Sequence, residues 1–338
     1  MNAPGPLAPS RTTARYIGRR FGLRAAELAP VPVARGLCGR VWLLRSEGVR
    51  YALKELFWDD DQDEPEIKRR VRFETSARGV GVRCPESLPA VDGDYLCRLP
   101  PELGDVYVRL YSWVDGTLLD TAAGAAAWLG DTLGKLHRLR HPVAGTPARK
   151  FESAPTPAQW RELLAALVSA GTPWADELER LLPQVEDLAA LVVPIDRDSL
   201  IMCHLDLTPA NVLRTRSGFA LVDWDNAGPG SAEQELASAL MEWHGGTPSG
   251  VAATMAAYGE SGGPGTVTGL SSFSAHLGAV IDNLHTQATV TIAADAADEH
   301  RTLANTKALQ AMASLPTRSA LNQVCEFAAG KKQVNPRP

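Results

Sequence analysis

The segment His204-Leu205-Asp206-Leu207-Thr208-Pro209-Ala210-Asn211 sets an aspartate and an asparagine five positions apart, and Asp223 follows the apolar pair Leu221-Val222 twelve positions later. Phosphoryl transfer from a nucleoside triphosphate needs three such side chains. One carboxylate accepts the proton of the acceptor hydroxyl, and an amide oxygen and a second carboxylate hold Mg²⁺. Singly, Asp206 and Asn211 have plain alternatives as turn residues, because Asp-x-x-Pro sequences favour turns. The acid at the third position makes the chemical reading the expectation: Asp206 as base, Asn211 and Asp223 as metal ligands. Asp225 keeps three alternatives open, namely a second metal carboxylate, a substrate contact or a solvated turn acid.

A triphosphate also needs a cation on its α- and β-phosphates, and Lys54 in the apolar run Tyr51-Ala52-Leu53-Lys54 is placed to supply it. A helix carboxylate should aim that lysine. Glu74, in the body of the helix expected over residues 67–78, and Glu66, at its acidic start, compete for the role; a first-turn acid often only complements the helix dipole, which favours Glu74. The stretch Arg35-Gly36-Leu37-Cys38-Gly39-Arg40 lies where a phosphate-covering loop belongs, with Gly36 and Gly39 as its flexible positions and a simple hairpin turn as the alternative. No Walker pattern Gly-x₄-Gly-Lys-Ser/Thr occurs in the sequence.

The elements that must position these groups change character along the chain. Short β-branched or apolar runs at Val31–Leu37, Val41–Leu44, Tyr51–Leu56, Tyr95–Leu99 and Val106–Trp113 predict strands, with the turn Ser46-Glu47-Gly48 between the second and third. From Gly116 the pattern becomes helical, with leucine, alanine or tryptophan at spacings of three and four over Ala122–His137, Pro157–Ala170 and Ala175–Leu191. Two short apolar runs, Leu200–Cys203 and Ala220–Val222, interrupt it, and helix resumes from Glu233 with a break at Gly259–Gly269. The expectation is a nucleotide-binding lobe over residues 1–115, a hinge near 107–116, and a catalytic and acceptor-binding lobe over 116–338. Acceptor contacts should come from the helices after Asp223, with Glu233, Glu242, Asp282 and His285 as unranked candidates.

The chain has 338 residues, 45% hydrophobic and 22% charged, an ordinary globular balance. A net charge of −5 argues against a nucleic-acid binder and is compatible with a cationic acceptor as well as with an ordinary soluble surface. The acidic run Asp59–Glu64 reads as a solvated loop, with attraction of a polyamine-like substrate as the alternative. Five scattered cysteines form no Cys-x-x-Cys pair, which points to reduced thiols rather than zinc or a disulfide framework. Residues 1–10 lack an apolar secretory core and no run reaches membrane-spanning length, so a cytoplasmic protein without an obligate partner is expected.

These residues resemble the aminoglycoside phosphotransferase and choline kinase-like small-molecule kinases. The resemblance is carried by His204-Leu205-Asp206-x₄-Asn211, Val222-Asp223-Trp224-Asp225, Glu235-Leu236-Ala237, Leu133-x-x-Leu136-His137 and Lys54, in that family's order along most of the chain. It implies an α+β, bilobal protein-kinase-like fold: a small antiparallel-sheet lobe with one main helix and a larger, mostly helical lobe. It further implies ATP (GTP is the alternative donor) and Mg²⁺ as cofactors, with Asp206, Asn211 and Asp223 matching the base and the two metal ligands. Two positions depart from the pattern. Leu205 stands where the family usually has glycine, and Glu235 where it usually has aspartate. Only Trp224–Ser231 separates Asp223 from the next helix and no Ala-Pro-Glu follows, leaving no room for an activation segment. The expected reaction is phosphorylation of a small-molecule hydroxyl, most simply on an antibiotic, with an amino alcohol, homoserine or sugar-like metabolite as the rival acceptor and a catalytically silent nucleotide-binding protein as the more remote one.

Overall fold

The computed structural model describes residues 7–35, 39–57, 63–119, 124–245 and 247–330. Along the chain run α1 (Arg11–Arg20), β1 (Glu27–Leu28), β2 (Ala34–Arg35), β3 (Gly39–Ser46), β4 (Val49–Leu56), α2 (Glu64–Gly79), β5 (Ser87–Leu88), β6 (Cys97–Arg98), β7 (Tyr107–Ser112) and β8 (Thr117–Leu118). Then follow α3 (Ala126–Arg138), α4 (Pro157–Ser169), α5 (Ala175–Ala189), β9 (Ile201–Cys203), β10 (Val212–Thr215), β11 (Gly218–Leu221) and β12 (Gly228–Gly230). The last helices are α6 (Ala232–His244), α7 (Pro248–Glu260), α8 (Ser274–Ile292), α9 (Asp298–Ala313) and α10 (Arg318–Ala328).

The chain divides into two compact units, one running to Leu118 and taking in Asn211–Asp225, the other made of Leu119–Ala210 and the residues from Asn226 onward. Asn211–Asp225 groups with the first unit because β10 pairs β8 on one side and β11 on the other. The first unit is built on a wholly antiparallel sheet in the order β1-β3-β4-β7-β5, with β2 on β3 and β6 on β7. Its β3–β4 hairpin turns at Glu47 and Gly48, both at positive φ (49° and 80°), the handedness that matches strand twist in a two-residue loop. Trp42, Leu44, Leu53, Val108 and Leu110 from the sheet pack with Ile17 and Phe21 in one core.

Ile17 belongs to a helix absent from the sequence expectation, which read the first hundred residues as strands and one helix. Its signals were present: the Ser10 side chain accepts the Thr13 amide at 3.0 Å as an N-cap, and Ala14, Ile17 and Phe21 recur on one face. Strands β1, β5, β8, β10 and β12 were also unforeseen, and the first three are only two residues long.

The second unit is mainly helical. Thr156 and Gln159 cap each other at the start of α4, and Gly245 closes α6 at φ 51°. Helices α3 and α7 pack closely against each other. A Cβ on Gly130 would lie 2.1 Å from the Thr254 carbonyl oxygen, and one on Gly134 2.8 Å from that of Tyr258. The four described cysteines carry free thiols, and no described helix is long and apolar enough to cross a membrane. Because the atoms in the way are backbone, Gly130→Ala should force α3 and α7 apart and destabilise by about 1–3 kcal/mol, read as a fall of several degrees in the thermal unfolding midpoint.

Candidate functional site

In the first unit the register of β4 and β7 sets Lys54 directly opposite Arg109. Two facing cations repel unless acids stand between them. Both acids come from the segment after β11. Lys54 Nζ lies 2.7 Å from Asp223 Oδ1 and 2.6 Å from Asp225 Oδ2, while Arg109 Nη1 donates to Asp225 Oδ1 at 2.6 Å. Arg109 is only 2% exposed and stacks its guanidinium 5.1 Å from the Tyr111 ring centre. Burial alone would raise the Asp225 carboxyl, but the Lys54 and Arg109 charges outweigh it and hold that group well below the carboxylate range. Burial likewise opposes the charge on Lys54, and Asp225 and then Asp223 overcome it and raise the ammonium.

The expected Lys54–Glu74 pair is not made. Glu74, 1% exposed, accepts the Ser87 amide at 2.9 Å on one oxygen and the Ser87 hydroxyl at 2.7 Å on the other. Its carboxyl is raised by burial, with the Ser87 bonds opposing the shift, and its charge acts on Arg109. Glu66 is no substitute, since it pairs with Arg69 and, at 3.5 Å, with Arg70. Asp225 therefore aims Lys54, and Arg109, which sequence reasoning missed, fixes Asp225. A lone arginine in a strand carries no periodic signal; only the register reveals it.

Asn211 and Asp223 flank the β10–β11 hairpin. Val212 pairs with Leu221, and one step beyond, the Val222 amide donates to the Asn211 carbonyl at 2.9 Å, which brings both residues to the open end of the hairpin. Asp223 sits at φ 62°, a left-handed conformation that a short polar residue tolerates better than most, and the Trp224 ring meets Phe73 of α2 edge-on at 5.5 Å. A carboxylate and a side-chain amide are hard oxygen donors, the set that Mg²⁺ takes, so these residues fit that ion. Gly39 begins β3 where a Cβ would lie 2.2 Å from the Glu55 carbonyl oxygen, so the strand pairing itself requires glycine there. Gly36, Leu37 and Cys38 lie outside the described residues, as do Asp59, Asp60, Asp61 and Gln62 of the acidic run.

In the second unit β9 runs into Asp206 through Leu205, whose φ is 61°. For a residue with a Cβ this conformation costs about 1–2 kcal/mol, which accounts for the family's usual glycine. Three features hold Leu205 there. Its amide donates to Glu235 Oε1, and its side chain packs on the cluster of Phe151, Ile195 and Ala275. Opposite it stands Gly230 of β12, where a Cβ would lie 2.8 Å from Leu205 Cδ2, so a glycine has been placed across from the loop instead of in it. Glu235 Oε2 is also 2.7 Å from His137 Nε2, and His137 Nδ1 is 2.9 Å from the Tyr258 hydroxyl, as expected of a buried helix-end histidine. Burial opposes the charge on Glu235, but the bond and charge of His137 and the Leu205 amide prevail and lower its carboxyl. The Trp243 indole donates to the Leu207 carbonyl at 2.7 Å, and Asn226 Nδ2 donates to Asp206 Oδ2 at 3.1 Å. Asn226 is the second residue that sequence reasoning missed.

The four candidate acceptor residues fare differently. Glu242 has a side chain 38% exposed, with Oε1 3.5 Å from His276 Nδ1, and burial followed by the charge of Asp206 raises its carboxyl. Burial pulls His276 down to about 4, so it is neutral at pH 7 and leaves the Glu242 charge uncompensated. Glu233 instead accepts the Ser272 and Thr268 hydroxyls; Asp282 pairs with Arg149 at 3.2 Å; His285 sits edge-on to Trp160 at 4.9 Å. Each of these three thus has a neighbour within the second unit.

A family model described as the phosphotransferase enzyme family matches residues 23–270. Among solved structures, the chain is similar to a spectinomycin phosphotransferase in complex with ADP and spectinomycin, at 13% identity and a TM-score of 0.60 over 96% of this chain and 98% of that one. It is similar to a microcompartment-associated aminopropanol kinase at 17% identity and 0.58, over 90% and 96%. It also resembles an aminoglycoside phosphotransferase from Alicyclobacillus acidocaldarius at 19% and 0.53, over 89% and 92%. No curated protein sequence matches the chain significantly. The sheet-based and helical units are those of this protein-kinase-like fold.

Removing Arg109 takes the donor from Asp225 Oδ1, while Lys54 still holds Oδ2. Arg109→Met should therefore destabilise the protein by about 1–3 kcal/mol in urea unfolding. Glu74→Gln, which keeps an acceptor for Ser87, should lose much less.

Proposed function

The chain belongs to the phosphotransferase enzyme family and is a phosphotransferase with an alcohol group as acceptor, and we propose that it transfers the γ-phosphoryl group of ATP to a hydroxyl of an antibiotic, thereby inactivating it. The observation that carries the nucleotide half of this reading is the hairpin end that Asn211 and Asp223 flank, with the Lys54 ammonium 2.7 Å from Asp223. Asn211 and Asp223 would hold Mg²⁺, which when bound neutralises charge on the β- and γ-phosphate oxygens. Lys54, aimed by Asp225, would bind the α- and β-phosphates. Asp206 would take the acceptor's proton as its oxygen bonds to phosphorus, and the bond to the β-phosphate oxygen breaks with its electron pair leaving on ADP. The ADP in the spectinomycin phosphotransferase structure is consistent with ATP as donor.

On the acceptor side, the carboxylate of Glu242 near the Asp206 charge, with a neutral histidine beside it, favours a substrate bearing an ammonium group. Aminoglycoside-type antibiotics meet that requirement. So does a small amino alcohol, which makes a metabolic kinase the second reading; the similar aminopropanol kinase is a protein of that kind.

The deciding experiment is an ADP-release screen over aminoglycosides, spectinomycin, other hydroxylated antibiotics, choline, aminopropanol and homoserine. Turnover on antibiotics alone upholds the first reading, and turnover on amino alcohols alone replaces it with the second. Asp206→Ala should lower transfer by about 10²–10⁴-fold while leaving the thermal shift by Mg-ATP nearly intact. Asp223→Ala should abolish that shift. Full activity of the Asp206 variant refutes the mechanism.

A further inference from the structure

A general base works only if its carboxylate is held in one rotation, with a chosen oxygen toward the hydroxyl. Around Asp206 a chain of three side chains does this. Asn226 Nδ2 donates to Asp206 Oδ2 at 3.1 Å, and Lys150 Nζ donates to Asn226 Oδ1 at 3.0 Å. The chemistry of the ends fixes the middle. An ammonium can only donate and a carboxylate can only accept, so an amide between them has one workable orientation, oxygen to Lys150 and nitrogen to Asp206. A flipped amide would set its oxygen against the carboxylate and its NH₂ against the ammonium.

Lys150 is itself held in place. Its ammonium lies 5.0 Å from the centre of the Phe151 ring, a cation–π distance, and Phe151 is buried in the cluster on which Leu205 packs. Gly278 of α8 lets this turn approach, since a Cβ there would lie 2.4 Å from the Lys150 carbonyl oxygen. The cation, the amide and the base are thus tied to one packed patch of the second unit.

We propose that Asn226 and Lys150 are positioning residues for the base: Lys150 locks the Asn226 amide, and the amide locks the Asp206 carboxylate. This rests on the reading of Asp206 as the base, and the test separates the two. ADP release from Mg-ATP is followed with water as the acceptor and then with the acceptor that the screen identifies. Asn226→Ala should lower kcat by about 10- to 100-fold with KM for ATP unchanged. Asn226→Asp keeps the shape but puts a carboxylate against Asp206, and should fall below Asn226→Ala; a merely space-filling role predicts the reverse order and overturns the proposal. Lys150→Met, a change away from the loop backbone, should lower kcat in the same way, and Lys150→Arg should restore most of it. The double variant Asn226→Ala/Lys150→Met should be no slower than Asn226→Ala alone, because the lysine acts through the amide. Additive losses, or a Lys150→Met enzyme with normal kcat, overturn the proposal. An Asp206→Asn enzyme with full turnover sinks the reading of the base, whatever the other variants do.

Discussion

Much of the second unit depends on one buried carboxylate. Glu235 accepts the Leu205 amide on one oxygen and meets His137 on the other, so a helix and a loop end on the same side chain. The Leu205 amide would otherwise be a donor in a strained left-handed turn, and a buried donor left unpaired costs about 1–3 kcal/mol beyond the strain itself. The longer glutamate, in place of the family's aspartate, and the leucine, in place of its glycine, occur together at the two ends of one hydrogen bond. The Leu205 side chain also gains packing against Phe151 and Ala275 that a glycine could not have, and Gly230 across from it supplies the missing space.

The first unit solves a different problem, how to keep several charges in a largely dry place. Lys54, Arg109, Asp223 and Asp225 alternate in sign through contacts of 2.6 and 2.7 Å, so each charge has an opposite neighbour. Glu74 joins from a distance by its field on Arg109, while Ser87 satisfies its oxygens. Lysine orientation in this chain is therefore a property of the sheet and of the Asp-Trp-Asp segment, with the helix one step removed. Arg109 is held at close range by Asp225 and Tyr111 and from further off by the fields of Glu74 and Asp223.

The class of chemistry was legible in the linear chain. The spacing of Asp206, Asn211 and Asp223 and the placement of Lys54 in an apolar run were enough to name the chemistry, because the roles need fixed residue types. The hairpin of β3 and β4, helix α2 and the long helices α3 to α5 followed from periodicity and turn residues. Helix α1 was missed because its arginines masked a short apolar face. Glu74 bonds Ser87 where Lys54 was expected, because a sequence offers carboxylates on a helix without saying which neighbour each will reach.

The linear chain set the composition of the machinery: which groups exist, in what order, and that Leu205 and Glu235 depart from the pattern. Partnership came from the packing of distant segments. Arg109 faces Lys54 through a strand register, Asn226 reaches Asp206 from 20 residues away, and Gly230 lies across from Leu205. Residue type sets what a side chain can donate or accept, and local pattern sets helix or strand. Which two groups share a hydrogen bond depends on how distant segments pack, and no local spacing encodes that.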